Sequence, residues 1–201
     1  MALFDRVKNI LISPKTEWQV INAETETPQT LLTKYVIPLV FLSALAAFIG
    51  YGFVGRGSLL YKIVGVRWGA YFAIQVLVSG ILSYYIATYV IDALAPSFAS
   101  EKNLGKSAQL VAYASTASWV GGLLMIVPLL GTIGALFGLY GIYLFYLGLP
   151  VLKKTPEDKR IGYMIVCALV IIVVSFVLYF VLGAILTAVM GNPFGLDTIL
   201  N

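Results

Sequence analysis

Few side chains in this chain could do chemistry, and several of them recur at helical spacing. Gln75, Ser79 and Ser83 stand four residues apart and so share one face of a helix. Tyr113, Ser115, Thr116 and Ser118 cluster in a second segment and are followed by Trp119. Amides and hydroxyls of this kind can line a polar cavity or hydrogen-bond one helix to its neighbour. Asp92 is the one carboxylate beside an apolar stretch; it can titrate, bind an ion, or pair with Lys102 and Lys106. Acid–base catalysis needs a second titratable group at a matched position, and none is visible. The chain has no histidine and a single cysteine, Cys167, inside an apolar run. That composition excludes a zinc site, a disulfide framework within one chain, and thiol–imidazole catalysis. Cys167 reads as a small apolar packing residue. No catalytic, cofactor-binding or metal residue is expected, and the chain is not an enzyme on this reading.

Glycine supplies the most regular pattern. Gly134, Gly141 and Gly148 are spaced by seven, and Gly138 falls four after the first, so all four share a helix face with Phe145. Lacking side chains, they allow close approach of another helix. A partner stripe is offered by Ala114, Ser118 and Gly122, also at spacing four.

The elements that must carry these residues are set by where charge is absent. Four stretches contain no Lys, Arg, Asp or Glu: 35–55, 68–91, 107–152 and 161–196. About 20 apolar residues cross the hydrocarbon core as a helix, and a charge at its centre costs several kcal/mol. The third stretch is 46 residues long and holds Pro128 and Gly131 near its middle, so it reads as two spans joined by a tight turn. Five helices result, at about 32–54, 68–94, 107–127, 129–152 and 160–190. Hydrophobic residues make up 60% of the chain and charged residues 11%, against about 25% charged in soluble domains. The fold class is all-α, a polytopic membrane bundle of five transmembrane helices. The net charge of +4 distributes unevenly. Ten basic residues (Arg6, Lys8, Lys15, Lys34, Lys102, Lys106, Lys153, Lys154, Lys159, Arg160) fall on one side and three (Arg56, Lys62, Arg67) on the other. The positive-inside rule then predicts a cytoplasmic N-terminus and a C-terminus outside, with the 128–131 turn facing out.

Local signals mark the helix ends. Ser13-Pro14, Thr27-Pro28 and Thr155-Pro156 each place a hydroxyl at an N-cap and proline at the first helical position. Asp158 completes a capping-box variant at the third. Gly191-Asn192-Pro193 reads as the stop of the fifth helix, and Pro38 predicts a bend inside the first. Residues 1–12 form an amphipathic segment, with Leu3, Phe4, Val7, Ile10 and Leu11 at helical spacing. Such a helix can lie in the interface or pack on the bundle; Trp18 and Ile21 continue the pattern. Charges interrupt it and no cleavage site follows, so it does not read as a secretory signal peptide. The loop at 59–64 has a similar pattern and is expected on the outer surface.

Val111-Ala-Tyr-Ala-Ser-Thr-Ala-Ser-Trp-Val120, Ile126-Val-Pro-Leu-Leu-Gly131 and Tyr143-Leu-Phe-Tyr-Leu-Gly-Leu-Pro150 together resemble the core of Yip1-domain membrane proteins. The opening Leu3-Phe-Asp-Arg-Val-Lys-Asn-Ile-Leu-Ile-Ser-Pro-Lys-Thr-Glu-Trp18 is similar to the start of bacterial members. The resemblance implies five spans with the N-terminus in the cytoplasm, and self-association. Eukaryotic members act in vesicle traffic with Rab-type GTPases, and they carry a longer region before the first span. The resemblance supplies no catalytic residue.

The chain then divides into a cytoplasmic amphipathic segment (1–30), a five-helix transmembrane domain (31–192) and a short extracytoplasmic tail (193–201). Two functions fit. One is a self-associating scaffold that organises lipid or partner proteins, in a bacterial cytoplasmic (inner) membrane. The other is a small-solute or ion transporter using the polar residues Gln75, Ser79, Ser83, Tyr113, Ser115 and Thr116. A transport path usually shows an intramembrane charge or a helix pair broken at the midplane; neither is present, which favours the scaffold. The partners implied are membrane lipid and a second copy of the chain or other membrane proteins, with no nucleic acid and no cofactor.

Overall fold

The computed structural model describes residues 2–57 and 62–192. Two short helices, α1 (Leu3–Ile12) and α2 (Pro14–Ala23), precede five long apolar ones. These are α3 (Pro28–Val54), α4 (Val66–Phe98), α5 (Leu104–Ile126), α6 (Pro128–Leu152) and α7 (Glu157–Met190), each long and apolar enough to cross a membrane. Between α3 and α4 a two-stranded ribbon pairs Arg56 with Ile63 and Gly57 with Lys62. Residues 59–61 of the 59–64 loop and all of the 193–201 tail lie outside the described residues.

Two of the spans, α3 and α5, start earlier than the loss of charge suggests, and their first turns are polar and capped. Thr27 accepts a hydrogen bond from the Thr30 backbone N–H, and the Asn103 side chain accepts one from that of Lys106. The other two expected caps do not form. Ser13 makes no side-chain cap bond, and Thr155 donates instead to the Leu149 carbonyl while accepting from Ser100 at 2.9 Å. The α7 start at Glu157 therefore has no capping box. Pro38 is accommodated by a π-helical turn over Leu32–Val36 immediately before it, where wider i→i+5 bonding absorbs the missing donor. Gly191, at φ 79°, ends α7 in the left-handed region that favours glycine.

Packing is centred on α3, α4, α5 and α6, and α7 leans on α4 along its length while touching α6 little. Tyrosines and a glutamine staple the spans together. Tyr35 and Thr116 hydroxyls meet at 2.7 Å, Tyr84 donates to the Pro28 carbonyl at 3.0 Å, and Gln75 donates to the Tyr179 carbonyl at 3.0 Å. At the α5–α6 turn the Met125 carbonyl packs against Gly50, in the last turn of α3. Every residue over 123–130 is apolar, and Leu129 is 75% exposed.

The amphipathic start folds back on the bundle. Ile10, Trp18 and Ile21 are completely buried. Trp18 packs edge-on against Tyr113, and its indole lies against Gly148 and Leu110. Tyr140 donates to the Leu11 carbonyl at 2.7 Å. Arg6, from the polar face of α1, is buried between Glu17 and Glu24 and stands over the Tyr113 ring. Phe4 and Ile12 remain outward, 81% and 70% exposed.

Candidate functional site

A cavity of about 410 Å³ opens among α4, α5, α6 and α7. Small residues stand in its walls, Gly80, Ala114, Gly138 and Gly141, and of its glycines Gly138 is the one whose missing side chain leaves open space. Along α4 it runs from Gly80 to Ile91, about 16 Å at 1.5 Å per residue. That is close to half of the ~30 Å hydrocarbon core, in the half nearer the N-terminal helices. Three of its lining residues are exposed: Ser118 of α5, Ile142 of α6 and Ile172 of α7. Two of the three, Ile142 and Ile172, belong to apolar helices that touch each other little.

The lining is predominantly apolar, with Val111, Phe145, Met164 and Ile171 among its walls. Three hydroxyls face it: Ser83 from α4, Ser115 and Ser118 from α5. None of the three bonds another described residue. Each can turn back on a carbonyl one turn earlier in its own helix, as Ser79 does on Gln75 and Ser43 on Leu39.

The remaining polar residues singled out from sequence lie away from the cavity. Gln75 bridges to α7, Ser79 is bonded within α4, and Thr116 is bonded to Tyr35. Tyr113 is buried beneath Arg6 and Tyr35 on the opposite side of α5.

The glycines divide in the same way. Gly134 sits directly against Gly121, where a Cβ on Gly121 would come within 2.5 Å of the Gly134 carbonyl. Gly141 lies against Ala114, whose carbonyl is 3.0 Å from its Cβ position. Gly148 receives Trp18 and Leu110. Gly138 meets only the Ser118 hydroxyl, at 3.7 Å, and is open to the cavity. Gly122 does not join this contact; it faces Ser43 of α3. Ala114 and Ser118 both meet Gly141 across the turn at Ser115, so the spacing-four stripe leaves this face only at Gly122.

Below the cavity lies a cluster that sequence reasoning missed. Lys153 is completely buried at the end of α6. Its ammonium donates to Ser107 Oγ at 2.7 Å, Asp92 Oδ1 at 3.3 Å and the Asn103 carbonyl at 3.3 Å. Asp92 also accepts from Ser107 at 3.1 Å. Asp92 thus pairs with Lys153 and not with Lys102 or Lys106; the Lys106 ammonium is held by the Asn22 and Glu24 carbonyls. Burial pushes Lys153 down from its ordinary value, and Asp92 opposes that shift without cancelling it. Tyr163 of α7 donates to the Ile91 carbonyl beside the pair, so four spans converge on this cluster. All donors are answered, which makes it a structural tie between helix ends.

Comparison with known proteins agrees with this architecture. The model of the Yip1 domain matches residues 8–179. Inner membrane protein YohC of Escherichia coli (strain K12) is 26% identical over 155 residues, covering 75% of this chain and 80% of the relative. Its counterpart in Escherichia coli O6:H1 matches equally. No solved structure matches. With five membrane-spanning helices and the domain match extending over most of its length, the chain belongs to the Yip1-domain family of multi-span membrane proteins.

Proposed function

We propose that this is a non-enzymatic membrane protein that organises its surroundings laterally, by taking up part of a neighbouring lipid within the bundle. The observation that carries this reading is the cavity: it is mostly apolar, about one leaflet long, and has the exposed apolar side chains of Ile142 in α6 and Ile172 in α7 in its lining. Water gains little there, because a water molecule needs two to four polar partners. A lipid chain needs none. The apolar surface of α7, from Ile161 to Val189, is broadly exposed and suits contact with lipid or with a second membrane protein. The orientation that fits the ten-to-three distribution of basic residues places the N-terminal helices in the cytoplasm, and a bacterial inner membrane fits the named relative. The cavity then lies in the cytoplasmic leaflet.

Transport is the competing reading, and the three free hydroxyls are the feature that favours it. Ser83→Cys and Ser115→Cys, each in a Cys167→Ala background, separate the two. Both should resist a membrane-impermeant thiol reagent and react with a lipid-soluble one, and the protein in liposomes should pass no ions or small solutes. Fast labelling by the impermeant reagent together with solute flux would reverse the assignment.

A further inference from the structure

A second pocket, of about 140 Å³, lies on the other side of α5 where α1 folds over the start of α3. That is far more than the ~15 Å³ a single water requires. It is lined by Arg6, Glu24, Glu26, Thr30, Lys34 and Tyr113, among others. The charges in it are not equivalent. Arg6 is buried and answered by Glu17 and Glu24. Glu26 and Lys34, by contrast, make no ion pair with another described residue. One unpaired carboxylate and one unpaired ammonium therefore share one cavity.

Its level is also defined. Lys34 is the last charge before the 21 uncharged residues of 35–55, so the pocket sits where α3 enters hydrocarbon. A simple anion would meet Glu26 as well as Lys34, and a simple cation the reverse. A group carrying both signs a few atoms apart answers both. We propose that this pocket receives the headgroup of a phospholipid bearing a phosphate and a primary ammonium, with Lys34 on the phosphate and Glu26 on the ammonium. Lysine suits phosphate as a point charge. A carboxylate accepts hydrogen bonds from a primary ammonium and none from a quaternary one, so the pocket discriminates among zwitterions. This rests on the reading of the protein as one that engages lipid, and it concerns a site separate from the cavity.

The test uses the full chain purified in detergent, with short-chain phosphatidylethanolamine, phosphatidylcholine or phosphatidylglycerol added during thermal unfolding. Phosphatidylethanolamine should protect at about ten-fold lower concentration than either of the others, the difference expected of one charge-assisted hydrogen bond. Lys34→Gln and Glu26→Gln should each abolish that preference and leave melting without lipid unchanged, since Lys34 is exposed and Glu26 half-buried. Equal protection by all three lipids, or a preference that survives in both variants, overturns the proposal. Equal protection by water-soluble phosphoethanolamine overturns its assignment to a lipid. Lipid that still copurifies when no preference is seen means that this pocket is misassigned and the cavity is not; no copurifying lipid at all counts against both.

Discussion

Lys153→Met should destabilise the bundle by about 3–5 kcal/mol, because it leaves the Asp92 carboxylate buried without its counter-charge. Asp92→Leu should cost a similar amount for the reciprocal reason. Combining the two should recover most of the loss. Taking both charges out of water offsets much of their mutual attraction, so the pair gains little over apolar side chains of similar volume. Thermal or denaturant unfolding of the three variants in detergent reads this as a double-mutant cycle. Additive losses would mean that Lys153 and Asp92 act independently and that the tie among α4, α5 and α6 lies elsewhere.

Gly134→Leu should lower stability by about 1–3 kcal/mol or more, because the new side chain must displace the Gly121 backbone. Gly121→Leu should do the same, and the double variant should lose less than the sum, since both act at one crossing. Gly138→Leu is the contrast. It meets open cavity and one serine hydroxyl at 3.7 Å, and leucine is favoured over glycine in a helix by roughly 0.8 kcal/mol. It should leave melting unchanged or raised. A loss at Gly138 equal to that at Gly134 would show the α5–α6 faces to be in contact along their whole length, with no cavity between them.

These two sites show where the sequence was legible and where it was not. The spans could be read because exclusion of charge from hydrocarbon is a strong, one-dimensional signal. Gly121 could not be distinguished from Gly122, because adjacent residues on a helix differ only by about a 100° rotation, and which of the two meets α6 depends on the crossing angle. Lys153 sits 61 positions from Asp92 and looks like any loop lysine; its burial depends on how α6 ends against α4 and α5. Thr155 carried the signature of a cap, but Ser100 and the Leu149 carbonyl claim its hydroxyl. The α1 stripe is equally compatible with lipid or protein. What decides it is Arg6, whose partners Glu17 and Glu24 were on the page without any spacing rule to connect them. The cavity was hidden because its walls were divided between two patterns, glycines read as packing and serines read as polar.

The central claim is that the space among α4, α5, α6 and α7 holds lipid. The most direct measurement is the structure of the full chain in a phospholipid bilayer disc, at a resolution that shows ordered non-protein density. An elongated, unbranched feature about 16 Å long between Gly80 and Ile91, leaving through the gap between Ile142 and Ile172, is the predicted result. A chain of ordered waters bonded to Ser83, Ser115 and Ser118 and continuous with bulk solvent would contradict it.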